Sequence, residues 1–269
     1  MLKTLNCSDN QIINIECIKL SMLKVLICHD NRIIDIQDIN TPILEELYCS
    51  DNEIVNIQGI KMPLLKELYC NNNQIANIQK LQLPMLQELH CSNNQIVNIQ
   101  DIKLPLIKSL ICEYNQIVEI KDINMRLLEN FVCSGNQIIE IQYINLPSLR
   151  VLCCSNNQIV NIQDINLPLL KVLRCDENLI VEIQDINLPL LEELHCSYNQ
   201  IVNIQNLNMP LLKALLCDNN YILTMNNINL PLLVELCCHD NQLLIDAFKI
   251  LENNNFPLLS VNNIDDTDD

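Results

Sequence analysis

The chain has 269 residues, of which 49% are apolar, and it contains two glycines and no tryptophan. This apolar content excludes a disordered chain, and the scarcity of glycine favours one turn design that is used many times. The formal net charge of −17 repels phosphate backbones, which argues against nucleic acid as a partner and for a basic protein partner. The alternative interpretation is that the charge only keeps an apolar chain in solution.

The start of the chain predicts neither secretion nor membrane insertion. Its first residues, MLKTLNC, lack a basic segment followed by a long apolar run, so we expect no signal peptide. Elsewhere no stretch approaches the ~20 apolar residues of a membrane span. Fifteen cysteines in such a chain favour reduced thiols and a cytoplasmic, intracellular location.

A repeat of 21 residues dominates the sequence. Cysteine recurs at this interval twelve times, from Cys7 to Cys238, and an asparagine follows each of these cysteines three residues later. Residues 65–85, LKELYCNNNQIANIQKLQLPM, are a clean unit. The shared pattern is L-x-x-L-x-C-x-x-N-x-I-x-x-I-x-x-I-x-L-P-x, and repeats of this length indicate a solenoid.

This pattern resembles the leucine-rich repeat family, whose signature is L-x-x-L-x-L-x-x-N-x-L. The resemblance covers roughly residues 2–245, with cysteine in the third apolar position and isoleucine after the asparagine. The Asn- and Ile-rich style is also similar to repeat proteins of large DNA viruses and amoebal genomes, which would place the chain in the host cell of a virus. The resemblance implies a horseshoe that recognises other proteins.

The residues themselves predict the same architecture. The alternation in L-x-x-L-x-C is typical of a strand with one buried face, and identical units stack such strands in parallel. The asparagines then bond backbone groups of the turns as a ladder. We predict a repeat solenoid, a leucine-rich-repeat horseshoe with a parallel β-sheet on its concave face. Its convex face should carry 3₁₀, turn and extended segments, because I-x-x-I-x-x-I has a period of three and Leu-Pro favours extended backbone.

The two ends of the chain are expected to differ. Residues 1–245 are the twelve repeats, 246–264 a C-terminal cap and 265–269 an acidic disordered tail. The segment QLLIDAFKILENNN predicts a short amphipathic capping helix, with Leu244, Phe248 and Leu251 on one face.

At the N-terminus no capping segment precedes the first repeat. An open strand edge formed by Leu2, Leu5, Cys7 and Ile12 predicts a homodimer. A frayed first repeat, or a cap made only by side chains such as Cys17 and Lys19, is the alternative.

The ladder cysteines are predicted to be buried packing residues. A buried thiol reacts slowly, and stacked parallel side chains fit disulfide geometry poorly. The sequence contains no C-x-x-C motif and no Cys/His pairing at zinc spacing. We therefore predict no metal site and no cofactor. In the adjacent pair Cys153 and Cys154, the second belongs to the ladder and the first faces the opposite side.

Two concave patches are the candidate binding surfaces. The acidic–aromatic patch consists of Glu46, Tyr48, Glu67, Tyr69, Glu88 and His90. Tyrosine is a frequent interface anchor, so this patch predicts docking of a basic protein; alternatively, lysines such as Lys66 neutralise the acids and tyrosine simply suits strands. The apolar patch consists of Ile111, Val132, Val151, Cys153 and Val172. It predicts an interaction surface, with strand propensity as the alternative.

Arg174 and His195 are further concave candidates, but they form no recognisable catalytic motif, so we expect no enzymatic activity. The sequence thus predicts a non-enzymatic scaffold that binds a protein on its concave face. A self-associating structural component and an adaptor in a larger enzyme complex are the alternatives.

Overall fold

A computed structural model describes residues 2–16, 18–79, 81–142, 144–184, 186–226 and 228–243. Within them, twelve three-residue strands form one sheet and two further strands form a second. The strands are β1 Thr4–Asn6, β2 Val25–Ile27, β3 Glu46–Tyr48, β4 Glu67–Tyr69, β5 Glu88–His90, β6 Ser109–Ile111, β7 Asn130–Val132, β8 Val151–Cys153, β9 Val172–Arg174, β10 Glu193–His195, β11 Asn203–Gln205, β12 Ala214–Leu216, β13 Thr224–Asn226 and β14 Glu235–Cys237.

The large sheet is parallel, and its register follows the repeat. Each strand pairs with the strand one unit along the chain, as Leu47 does with Leu68. The order runs from β1 to β10 and continues through β12 to β14, while β11 pairs with β13 in the second sheet. The predicted solenoid with a parallel sheet is confirmed.

The core lies behind the middle residue of each strand. Leu47 and the ladder cysteine that follows the strand, Cys49, are fully buried, as are the isoleucines of the same unit. The first and third strand residues, here Glu46 and Tyr48, are half-buried on the concave face. Because side chains alternate along a strand, the leucine positions decide which residues lie on the concave face.

The asparagine ladder joins neighbouring units. Nδ2 of Asn73 donates to the backbone carbonyls of Cys49 in the preceding unit and of Cys70 in its own, at 3.1 and 3.2 Å. Its Oδ1 accepts from the backbone N–H of Ile54 at 2.9 Å. Every ladder asparagine from Asn31 to Asn241 repeats these contacts. The predicted role of the asparagines is confirmed, and it explains how buried turn backbone stays paired.

The turn after each strand uses left-handed backbone with very little glycine. The second residue after each ladder cysteine has a positive φ, 53° at Asn72 and 66° at Gly135. Most residues at this position are Asn or Asp, which tolerate the left-handed region better than other side chains do. One turn is therefore used twelve times, as the scarcity of glycine predicts.

The convex side is made of turns and extended segments. Isolated parallel bridges such as Asn14↔Asp35 link neighbouring units there, and β11 with β13 extends this pairing. The described residues contain no 3₁₀ segment, because this ladder between units holds the backbone extended. None of these residues belongs to a helix that is long and apolar enough to cross a membrane. The predicted cap at 246–264, its helix and the tail at 265–269 lie outside the described residues, and so does Cys17.

Candidate functional site

The acidic–aromatic patch occupies the concave face of β3, β4 and β5. The parallel register sets Tyr48 beside Tyr69 and Tyr69 beside His90. The two tyrosine rings are stacked, with centroids 4.8 Å apart and planes inclined at 25°. The Tyr69 and His90 rings lie 4.1 Å apart at 30°. Three aromatic rings from three units therefore form one continuous stack.

Glutamates from the same strands hold the tyrosine hydroxyls. The Tyr48 hydroxyl lies 3.1 Å from Oε2 of both Glu46 and Glu67, so its one proton is shared between two carboxylates. The Tyr69 hydroxyl donates to Oε2 of Glu88 at 3.0 Å. Burial, followed by the neighbouring carboxylates, raises the pKa of Tyr69 to about 12 and that of Tyr48 further. Both tyrosines therefore stay neutral donors at physiological pH.

Lysine does not pair directly with the glutamates of this patch in the way that the alternative interpretation expects. Nζ of Lys66 binds Oε2 of Glu45 at 2.6 Å, and Lys24 binds the other oxygen of the same carboxylate. These two lysines lower the pKa of Glu45 to about 2. Glu45 is the main cause of the raised pKa of Lys66, and Glu46 and Glu67 contribute less. The ammonium group of Lys66 is thus held by Glu45, at the side of the acidic–aromatic patch.

His90 lies at the end of the stack, and its imidazole is a weaker base than an exposed one. Its side chain is mostly buried, and its Nε2 lies 3.8 Å from Oε2 of Glu88. Burial lowers the pKa of His90 below 6.5, and the Glu88 carboxylate only partly opposes this shift. The imidazole is therefore neutral at pH 7, and the three carboxylates leave the patch negative.

The apolar patch on β6 to β9 is less open than expected. Its five residues are all half-buried, because first and third residues of neighbouring strands shield one another. More exposed apolar side chains lie at the sixth residue after most of the ladder cysteines in the described part of the chain, for example Ile13, Val55 and Val160. Sequence reasoning missed this column, although isoleucine or valine recurs there at the 21-residue interval.

The other two concave candidates meet across one glutamate. Nη2 of Arg174 lies 3.9 Å from Oε2 of Glu193, and Nε2 of His195 lies 3.5 Å from the same oxygen. The positive charge of Arg174 offsets the negative charge of Glu193. This part of the face therefore differs in charge from the acidic–aromatic patch.

The N-terminal edge residues are less buried than their counterparts one unit later. Leu2 is 50% exposed. Leu5, Cys7 and Ile12 are partly buried against the core, whereas the same positions in the second unit are fully buried. The structure thus shows apolar surface at the β1 edge, and dimerisation there stays a prediction.

A further group, which sequence reasoning missed, lies where β12 and β14 end. One side-chain ligand atom each from Asp218, Cys237 and His239 lies within 4.8 Å of the other two. The residues come from two units, so a search for ligand spacing along the chain overlooks them. The available signal was a Cys-x-His sequence with an acid 21 residues before the histidine.

Comparisons with known proteins agree with this architecture. Residues 44–83 match the family model of leucine-rich repeats, in two copies. An internalin (InlF) from Listeria monocytogenes has the same fold, with a TM-score of 0.73 and 24% identity over 98% of this chain and 88% of that one. The chain thus has the fold of leucine-rich repeat proteins. No curated protein matches it at a significant level.

Two other solved structures are similar over most of this chain. The functional domain of InlJ from Listeria monocytogenes, which includes a cysteine ladder, has a TM-score of 0.72 and 24% identity over 88% of this chain and 53% of that one. YopM from Yersinia enterocolitica has a TM-score of 0.71 and 27% identity over 90% and 56%. The chain therefore spans little more than half the length of these two proteins.

Proposed function

We propose that this protein is an intracellular, non-enzymatic scaffold that binds a basic segment of a partner protein on its concave face. The observation that carries the proposal is the continuous stack of Tyr48, Tyr69 and His90 beside three carboxylates. Leucine-rich repeat folds typically act as protein-binding scaffolds, and this analogy supports the class of function.

The patch has the properties of an anchor for a cation. Glu46, Glu67 and Glu88 stand directly opposite one another on neighbouring strands. Such like charges repel, and a lysine or arginine of a partner relieves that repulsion. Because the stack is already ordered by hydrogen bonds, little side-chain entropy is lost on binding.

The test compares captured partners for matched variants. The double variant Tyr48→Ala/Tyr69→Ala removes the stack, and Glu67→Gln removes one charge. Tyr198→Ala is the control, because Tyr198 is 58% exposed and lies at a turn. We expect wild type and Tyr198→Ala to capture partners that salt elutes. The double variant should not capture them. Unchanged partners in the double variant would contradict the proposal, provided that circular dichroism shows an intact sheet.

Self-association through the β1 edge is the second candidate function. The observation that favours it is the partial exposure of Leu5, Cys7 and Ile12, whose counterparts in the second to eleventh units are buried core residues. Leu2→Lys places a charge on an exposed residue without disturbing the core. We expect a concentration-dependent mass for the wild type in sedimentation velocity and a monomer for this variant; a monomeric wild type at tens of micromolar argues against this candidate.

A further inference from the structure

We propose that Asp218, Cys237 and His239 form a zinc site at the end of the concave sheet. The site is separate from the acidic–aromatic patch, and the protein-binding function does not depend on it. It also reverses the expectation, drawn from spacing along the chain, that this protein holds no metal.

The parallel register builds the site. Leu216 of β12 pairs with Cys237 of β14, so Asp218 and His239 occupy equivalent positions two residues further on. The backbone N–H of His239 donates to Oδ1 of Asp218 at 2.9 Å, which holds the carboxylate in place. Nε2 of His239 lies 3.3 Å from the same oxygen. The Sγ of Cys237 completes a group whose ligand atoms all lie within 4.8 Å of one another.

This donor set matches zinc. Zinc accepts thiolate, imidazole and carboxylate together in a tetrahedral arrangement, with bonds of about 2.0–2.3 Å. Ligand atoms at those bond lengths are separated by roughly 3.3–3.7 Å along a tetrahedron edge. The distance between His239 and Asp218 already has this value. Since the sulfur lies within 4.8 Å of both, a small side-chain rotation brings it into place.

A second carboxylate, outside this group of three, lies on the same strand face. Glu235 is the first residue of β14, and its Oε1 lies 4.0 Å from the Sγ of Cys237. Asp218 and Glu235 add to burial in raising the pKa of the Cys237 thiol, because both carboxylates repel a thiolate. A divalent cation removes this repulsion. On binding, Cys237 transfers its proton to solvent and its sulfur bonds the metal.

The site is open to ions from solution. The side chain of His239 is 41% exposed and that of Asp218 is 21% exposed. Bound metal would link the last two strands of the described sheet, β12 and β14, through their side chains. This link would stabilise the last two units of the described sheet.

Cys153 is a natural control. It occupies the same position in β8 as Cys237 does in β14. Its register partner in the next strand is Arg174, whose guanidinium is not a metal ligand. In the unit before it, Ser134 stands where the site has Asp218, and in its own unit Ser155 stands where the site has His239. Both Cys153 and Cys237 therefore lie on the concave face, but only Cys237 has an aspartate and a histidine beside it.

Cobalt(II) is the probe, because thiolate-bound tetrahedral cobalt has a charge-transfer band and visible d–d bands. The full-length, untagged chain is titrated at neutral pH with a non-thiol reductant. We expect one equivalent of cobalt to produce both sets of bands and one equivalent of zinc to abolish them. Cys237→Ser should lose the charge-transfer band, His239→Ala and Asp218→Asn should weaken binding, and Cys153→Ser should behave as wild type.

Three results would overturn the site: no bands in the folded wild type, a charge-transfer band that persists in Cys237→Ser, or its loss in Cys153→Ser. Circular dichroism of each variant shows whether the sheet is intact, since unfolding exposes the ladder cysteines to metal. Alkylation provides a second measurement, because bound zinc should slow the modification of Cys237 and leave that of Cys153 unchanged.

Discussion

Nδ2 of Asn94 lies 3.0 Å from the backbone carbonyl oxygen of Cys70, one unit earlier in the chain. The same side chain accepts from the backbone N–H of Ile75 at 2.9 Å. Its Nδ2 also donates to the carbonyl of Cys91 in its own unit at 3.1 Å. One amide thus satisfies backbone groups of two units in the buried turn, where water does not replace it.

Replacing this amide should destabilise the solenoid. Asn94→Ala leaves buried backbone groups without partners, each of which costs about 1–3 kcal/mol. We expect a loss of about 3 kcal/mol in the free energy of unfolding, measured by urea denaturation. Gln95→Ala is the control, because the Gln95 side chain is exposed. Equal effects of the two substitutions would show that the ladder does not carry this stability.

The cysteines should react with maleimide in an order that follows the sheet. Cys153 and Cys237 are only half-buried, whereas Cys154 is fully buried and its burial raises the thiol pKa far above 9. Because the thiolate is the reactive form, a brief pulse under native, metal-free conditions should label Cys153 and Cys237 before Cys154. Mass spectrometry of peptides locates the label. Faster labelling of Cys154 than of its neighbour would contradict the register.

Acidification should weaken the aromatic stack through His90. Its pKa is lowered by burial, so the unfolded chain binds a proton more readily than the folded one below pH 6.5. Stability should therefore be complete above pH 6.5 and fall as the pH drops through the lower, folded pKa. NMR titration of the imidazole measures this pKa. Tyr69→Ala exposes the ring and should move the value up towards 6.5; a wild-type value at or above 6.5 contradicts the burial argument.

Gly135 should be sensitive to a single added carbon. A Cβ at this position would lie 2.6 Å from Cδ1 of Tyr114, and its φ is +66°. We expect Gly135→Ala to cost roughly 2 kcal/mol, and less on a Tyr114→Asn background where the ring is gone. Gly59→Ala is the control, since its φ is +77° and no atom lies within 4 Å of the added carbon. Equal costs at both glycines would exclude the clash with Tyr114. Thermal or urea unfolding of the four variants measures the coupling.

Much of the architecture can be predicted from the repeat, because each unit makes the same contacts. The 21-residue interval predicts the parallel sheet, the buried cysteines and the asparagine contacts, since identical units have only one stacking that buries every leucine. The outward column of Tyr48 and Tyr69 follows from alternation along a strand. The stack geometry does not, because ring distances depend on the twist between neighbouring strands.

Other features depend on how units meet, and a linear pattern does not contain them. Lys66 could have paired with Glu46 or Glu67, but the backbone places it against Glu45. The convex face was predicted to carry 3₁₀, turn and extended segments; in the described residues it has turns and extended segments, which pairing between units holds in place.

By itself, then, the sequence determined the repeat, the face that each residue takes and the identity of the core, because burial of a periodic apolar pattern leaves one arrangement. Only the tertiary structure decided which side chains of different units touch. Asp218 and His239 are 21 residues apart in the chain, yet their side chains lie 3.3 Å apart because parallel pairing sets equal positions side by side. Sites of this kind arise between repeats, and they become visible only when the repeats are stacked.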